Sequence, residues 1–482
     1  MKRYIALALF VALGAMLWAA GCSSLTPPDP IVDNDTFQLF DDEEYFYLTE
    51  VELDGTEFEL EDSTTAQGGE FQILAGGSDY RFIKVARIRA PKHQGEKLQA
   101  TDVALAGDET TTIAYVSYVM AGLPRHGGID VLEMKDGVFP KIASRLFTKK
   151  DDVNSVAYDE TGNRIDMGLN VDPDEYNLDP PRGAYFRTAE LDSNYKFKTS
   201  GGNIISKEYD LKSYAANDAV VLGSFVLLPV GAAEGGVDVI NVTSGGDSNP
   251  PTLEREVFID GSTVDYDYAT TDTRAVALTP ELSLAGVDFV TYCGPDNNDA
   301  KIIKYNSSFD EAGQILLADP DFNPSFIETK SAMKVYDNVA FVAAADGGVI
   351  AVDLETDETR FTIPNPPPGE LIADLVTAND VVIGTPNQSE FSLLFIANGE
   401  YGVRVYQLGF KLEDSADVSF DLTGFDHASA YQGYIRTGSN NSANSLMFRN
   451  GYLYIGTGLG GVRIINVMDK SVSRSFKKPN FK

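Results

Sequence analysis

Histidine, cysteine and tryptophan are scarce in these 482 residues, with three, two and one respectively, and 38 basic residues face 72 acidic ones. Each shortage excludes something. Cys22 and Cys293 alone cannot build a disulfide framework or a cysteine-based zinc site. His93, His126 and His427 fall in different parts of the chain with no metal-ligand spacing, and they read as surface or turn residues. A formal net charge of −34 argues against nucleic acid and anionic lipid surfaces as partners, because polyphosphate binding needs basic surface. There is no G-x-S-x-G elbow, no phosphate-binding P-loop and no H-E-x-x-H. The apolar run Ile5 to Trp18 is too short to span a bilayer, and no other run is longer.

What is present is a repeated phrase, one or two glycines followed by largely apolar, often alternating residues. It reads GGIDVLEM from Gly127, GGVDVINV from Gly235, GGVIAVDL from Gly347, YGVRVYQL from Tyr401 and GGVRIINV from Gly460. Gly348, Gly402 and Gly461 are 54 and 59 residues apart; Gly128, Gly236 and Gly348 are about twice as far apart. Each long gap therefore predicts one degenerate copy. RGAYFRTAELD around Gly183 and AKIIKYNSSFD after Asp299 fill the two places. Within each unit, short runs end at Asn, Asp or Gly turns, as in Arg449-Asn450-Gly451 and Asp337-Asn338, the pattern of hairpin-joined antiparallel strands. Four strands in about 54 residues make one blade of a β-propeller, whose blades bury together what one sheet cannot bury alone. The expected fold is all-β, a propeller of seven four-stranded blades, with six and eight the neighbouring counts.

The units resemble the LVIVD-repeat family of bacterial β-propellers. The stretches that carry the likeness are Leu453-Tyr454-Ile455-Gly456 with Gly461-Val462-Arg463-Ile464-Ile465-Asn466-Val467, Leu394 to Gly399 with Gly402 to Tyr406, and Ala340 to Ala343 with Gly348 to Asp353. The likeness spans most of residues 100–476. It is good in the last three units and weak in the second and fourth. It implies the fold; it implies no reaction and brings no catalytic residue.

The N-terminus carries its own pattern. Met1-Lys2-Arg3 is basic, the apolar run follows, and Ala19-Ala20-Gly21 precedes Cys22. This resembles a bacterial lipobox, which implies cleavage before Cys22 and lipidation of its sulfur. Residues 1–21 would be the signal peptide and 22–36 a tether containing Ser23-Ser24 and Pro27-Pro28. Several acyl chains hold a protein firmly on a membrane where one binds only marginally. Ser23, in place of Asp, favours the outer membrane of a Gram-negative envelope. With Cys22 lipidated, Cys293 has no partner in the chain; Val290-Thr291-Tyr292-Cys293 reads as a strand, so its thiol is expected to be buried and structural.

Residues 37–99 fit the repeat least. FQLFDDEEYFYLTEVELDG and TEFELED read as strands or a hairpin, and Phe82 to Ala90 as an outer strand that closes the ring onto the last blade. The alternative is an eighth blade, because Gly77 to Gly128 is close to one period. Residues 100–482 are the propeller repeats. Three inserted loops are rich in oxygen ligands, and calcium is the cation they would suit. Asp172, Asp174 and Asp179 in the first of them are the metal candidates, although no EF-hand pattern is present. No catalytic residue emerges. The sequence leads to a lipid-anchored envelope propeller that binds a protein or glycan partner, against the alternative of a hydrolase or lyase with its site at the channel mouth.

Overall fold

A computed structural model describes residues 28–58, 79–108, 110–135, 138–172, 183–211, 213, 215–231, 236–242, 252–258, 273–279, 286–294, 300–317, 330–366, 376–387, 389–409, 425–438 and 441–470. It is a seven-bladed β-propeller. From the axis outward, the first blade is Gln99–Gly107, Thr111–Val119, Gly127–Lys135 and Val138–Thr148. The second is Asp151–Asp159, Arg164–Val171, Ala184–Glu190 and Ser206–Asp210. The third has a broken inner strand, Ala215–Ala216 and Val220–Leu222, then Phe225–Gly231, Gly236–Asn241 and Thr252–Phe258. The fourth is Thr273–Leu278, Phe289–Cys293, Lys301–Tyr305 and Glu311–Leu316; the fifth is Ala332–Tyr336, Val339–Ala343, Val349–Asp353 and Glu358–Ile363. The sixth is Asp380–Gly384, Leu393–Ala397, Val403–Gln407 and Tyr431–Ile435. The seventh takes Ser445–Arg449, Tyr452–Gly456 and Val462–Asp469 from the C-terminal end. Its fourth strand, Tyr80–Ile88, comes from the N-terminal end and pairs antiparallel with Val462–Asp469. The two degenerate copies supply third strands, Ala184–Glu190 and Lys301–Tyr305.

Strand alternation here separates one neighbouring blade from the other, rather than core from water. Leu227 packs into the cluster shared with the fourth blade, while Val226 and Leu228 on either side pack into the cluster shared with the second. A hydrophobic cluster fills each of the seven joints. Middle strands such as Val339–Ala343 and Leu393–Ala397 are therefore buried along their whole length. No blade has a solvent face large enough to stand alone, so the repeats stabilise one another.

The repeat glycines have a backbone reason. Ala345, Gly399 and Gly458 occupy matching turn positions with φ of 51°, 55° and 52°. Each bonds the residue that leads into the next blade's innermost strand. Ala345 N–H donates to Ala378 O at 2.9 Å, Ala443 N–H to Gly399 O at 2.8 Å, and Ala100 N–H to Gly458 O at 2.9 Å. Three residues further on, Gly348, Gly402 and Gly461 have φ of 81°, 103° and 81°. A Cβ on any of them would overlap a carbonyl oxygen of the blade's outer strand, that of Ile363, Ile435 or Ile88. The glycine lets one backbone turn while another lies against it. At the hairpin tip, Asn450 and Gly451 both take positive φ, as a two-residue hairpin turn requires.

Residues 32–58 bind the seam between first and seventh blades from outside. Phe37–Phe40 pairs with Val138–Thr148 and extends the first blade, and Val51–Leu53 and Glu57–Phe58 pair with Tyr80–Ile88 of the seventh. Between them the chain departs from the strand expected there: Glu43–Glu50 is a helix. Asp42 caps it by accepting the Tyr45 N–H, and Glu43 and Glu44 suit the positive end of its dipole. Phe46 is buried, and the Arg145 guanidinium lies 4.7 Å from its ring centre. Arg145 donates to both oxygens of Glu50 at 2.7 and 2.8 Å and to buried Asp130 on the neighbouring strand. A helix satisfies its own backbone and still aims Phe46 and Glu50 at that arginine, which outweighs the strand preference of the aromatic run Tyr45-Phe46-Tyr47.

Three substitutions test these contacts. Gly402→Ala should lower unfolding stability by roughly 2–5 kcal/mol, from the left-handed backbone and the carbonyl overlap together. Gly201→Ala, also at positive φ but facing open space, should lose only about 1 kcal/mol. Arg145→Ala leaves buried Asp130 without its cation and should lower stability by about 3–5 kcal/mol in denaturant titration.

Candidate functional site

The innermost strands of the seven blades pack each against the next in a closed circuit around the axis. Polar side chains at the start of these strands join blade to blade. Thr101 donates to Val153 O at 3.1 Å, Asn154 to Ala216 O at 3.1 Å, Asn217 to Thr273 O at 2.8 Å, Asn379 to Ala443 O at 2.9 Å and Asn444 to Ala100 O at 3.0 Å. Each acceptor is the residue immediately before the next inner strand's donor position. The position after the donor is Asp102, Asp218 or Asp380 in the first, third and sixth blades. Their carboxylates accept backbone N–H groups across the same joints, from Val156 at 3.1 Å, Val276 at 3.2 Å and Leu446 at 2.7 Å. A second sequence signature lies behind this belt: Ala100-Thr101-Asp102, Val153-Asn154-Ser155, Ala216-Asn217-Asp218, Ala378-Asn379-Asp380 and Ala443-Asn444-Ser445. The glycine phrase is longer and hides it.

Two lysines of the fifth blade complete the cluster. Lys330 donates to Thr101 O at 2.6 Å and to Asp102 at 3.3 Å. The sixth and seventh blades lie between the fifth and the first, so this side chain reaches across the channel. Lys334 stands on the fifth blade's innermost strand. Burial works against its charge, but the carboxylates of Asp380, Asp218 and Asp102 outweigh that and raise its pKa above the ordinary range. Burial pushes Asp218 up to about 6 and Asp102 adds to the rise, against the pull of Lys334 and two backbone N–H groups. Asp380 is also raised, by burial first, with Lys334 and Lys330 opposing. Lys334 of the fifth blade is thus linked electrostatically to carboxylates of the first, third and sixth.

The histidines correct the expectation of scattered surface residues. His93 and His126 are buried together at the seam, with ring centres 5.1 Å apart in an edge-to-face arrangement, and His93 also packs 4.6 Å from the Phe147 ring. His93 lies in a short hairpin after the closing strand, and His126 in the loop before Gly127–Lys135. Burial, then the proximity of His126 and Lys149, brings the His93 pKa down to about 4. Beside His126, Arg125 pairs with Asp152 at 2.8 Å. His427 stands apart at the start of the short helix His427–Ala430.

Of the expected site residues, Cys22, Asp174 and Asp179 lie outside the described residues. Asp172 follows the strand Arg164–Val171, and no group of three or more metal-ligating side chains is found among the described residues. Cys293 is fully buried in the joint between third and fourth blades, with its sulfur 3.8 Å from the Thr273 hydroxyl. Among the described residues, no helix is long and apolar enough to cross a membrane.

No protein-family model matches the sequence, and no curated protein matches it. Solved structures do match by shape. The computationally designed Ika8 protein has 10% identity and a TM-score of 0.40, over 78% of this chain and 98% of its own. BamB from Moraxella catarrhalis has 10% identity and a TM-score of 0.41, over 86% and 98%. A chain of the COPII coat assembled on membranes has 11% identity and a TM-score of 0.44, over 80% of this chain and 48% of that one. Blade count and closure come from the strand pairing itself.

The buried histidine predicts a pH dependence. An unfolded histidine takes up a proton near pH 6.5, whereas folded His93 resists until about pH 4. The unfolded state therefore binds more protons in this window, and stability falls as pH drops through it. His93→Phe should flatten the decline between pH 6.5 and 4 by about 2 kcal/mol, read from denaturation midpoints across pH.

Proposed function

We propose that this chain is a lipid-anchored β-propeller of the bacterial envelope, held on the outer membrane through Cys22, that binds a protein or glycan partner as an assembly platform. The observation that carries the reading is the basic, apolar, small-residue and cysteine order of residues 1–22 ahead of a rigid ring. Kinship with the LVIVD-repeat propellers belongs to the same proposal. The axial carboxylates support binding over catalysis, because they are used to join blades. A binding role places recognition in the loops, which differ between units while the strands repeat. Leu123, 69% exposed, and Leu459, 38% exposed, lie in the corresponding loops of the adjacent first and seventh blades and give that end an apolar element.

The anchor is tested by Cys22→Ala. The variant should leave the membrane fraction or keep its leader, and intact mass should lose the lipid increment; unchanged fractionation and mass would overturn the anchor. For the platform, cross-linked partners captured from native envelopes should be depleted by Leu123→Glu with Leu459→Glu. Equal capture by that double variant would count against recognition at this end.

A further inference from the structure

Two arginines stand directly opposite each other where the ring closes. Arg463 on Val462–Asp469 is the cross-strand partner of Arg87 on Tyr80–Ile88. Both side chains therefore leave the same face of the seventh blade, with Cβ atoms about 5 Å apart. The first blade holds opposite charges at the matching register. There Asp130, two residues after Gly128 as Arg463 is after Gly461, faces Arg145 and accepts its hydrogen bond at 2.9 Å. In the sixth blade the place of Arg463 is taken by Arg404. It donates to Asn398 Oδ1 at 2.7 Å, to Pro364 O at 2.7 Å and to the Tyr406 hydroxyl at 2.9 Å. In the seventh blade Thr457 and Ile465 replace Asn398 and Tyr406, and the Thr457 hydroxyl is turned to Gly461 O at 2.9 Å. Among the described residues Arg463 has no hydrogen-bond or ion-pair partner, and its Nε is buried. Glu52, next across the sheet, bonds Arg89 at 2.7 Å and lies 3.8 Å from Arg87. That one carboxylate already serves two guanidinium groups. Arg87 also donates to Gly460 O at 3.3 Å.

Like charges directly opposite on a sheet are destabilising, and an arginine does not shed its proton to relieve them. Burial first, and then Arg87, lower the Arg463 pKa, against the pull of Glu52 and Asp54. Lys97, itself opposite Lys92 in the hairpin after the closing strand, also has a lowered pKa, from burial and then from Arg87, Lys92 and Arg89. A chain of net charge −34 thus gathers cations at its seam. A further donor approaches from the sixth blade. A Cβ on Gly438, in the loop after Tyr431–Ile435, would lie 3.1 Å from Asn441 Nδ2 and 3.3 Å from Arg463 Nη2, so both nitrogens reach the same side of that glycine. The Asn441 amide uses one N–H on Thr437 O and keeps the other. Two guanidinium forks and an amide call for more acceptor oxygens than the two of a carboxylate; a phosphate monoester offers three, with a larger charge. A polyanion would meet the acidic excess of the rest of the chain, which a single phosphate does not. We propose that Arg87, Arg463 and Asn441 bind one phosphate group, presented as the free ion or as a monoester.

The test is calorimetric titration of the intact chain with inorganic phosphate and with glucose 6-phosphate at fixed ionic strength, with acetate as the comparison anion. The expected result is saturable binding of at least one of the two phosphates and none of acetate. Binding of the ester alone assigns the site to a phosphorylated organic ligand, and binding of the free ion alone assigns it to phosphate itself. Arg463→Met should weaken the affinity roughly tenfold or more, the worth of a hydrogen bond to a charged group. The same variant should leave the ligand-free unfolding midpoint unchanged or higher, because it removes a like-charge opposition. Arg404→Met, which removes hydrogen bonds already made, should lower that midpoint and keep the affinity. This contrast separates a ligand-binding arginine from a structural one. No saturable binding of either phosphate, acetate bound as tightly, or unaltered affinity in Arg463→Met would overturn the proposal. Arg87→Gln should show the same loss of affinity, and it decides the matter if Arg463→Met fails to fold.

Discussion

Antiparallel pairing of Tyr80–Ile88 with Val462–Asp469 is the contact on which the ring depends. Without it the seventh blade would lose its outer strand and the first and seventh blades would lose their covalent registration. A toroid of sheets has no internal hierarchy, because each blade is held by its two neighbours and an opening anywhere exposes two apolar faces. The chain secures the seam more than once. The N-terminal segment adds strands to both blades beside it, and its helix is fastened to the first blade through Arg145, Glu50 and Asp130. The hydrogen bond between Ala100 and Gly458 then treats the seam like the joints after the fifth and sixth blades.

Register between blades is set by backbone and polar contacts more than by apolar packing. The seven joint clusters are made of similar aliphatic and aromatic side chains, and such surfaces tolerate sliding. Hydrogen bonds do not. The left-handed turn residue bonds the next blade at one level, and the Thr or Asn at the start of the inner strand bonds it again close to the axis. Each of these groups is buried or half-buried, so displacing a blade would strand donors and acceptors away from water.

The charge distribution is divided in the same way. The whole chain carries a formal net charge of −34, whereas three carboxylates and two lysines stand on or beside the inner strands of four blades. Asp218 and Asp380 keep raised pKa values there because burial outweighs the backbone donors and lysines that favour their ionised forms. Such groups tie blades together.

Much of the architecture was legible because it is periodic. A repeat of about 54 residues, turn residues that tolerate positive φ and glycines where a Cβ would strike a carbonyl are local requirements, so they are written in consecutive residues. What the linear order could not convey arises where distant residues meet. Lys330 bonds Thr101 across 229 positions, and no period links them. His93 and His126 become a buried pair only because the closing strand delivers one hairpin beside the first blade's loop. Glu43–Glu50 reads as a strand until Arg145 is placed opposite it. Hairpin chemistry and blade number follow from short-range sterics, which the chain specifies residue by residue. The channel cluster and the seam follow from closing the ring, which brings together side chains whose environment does not exist until the last blade is in place.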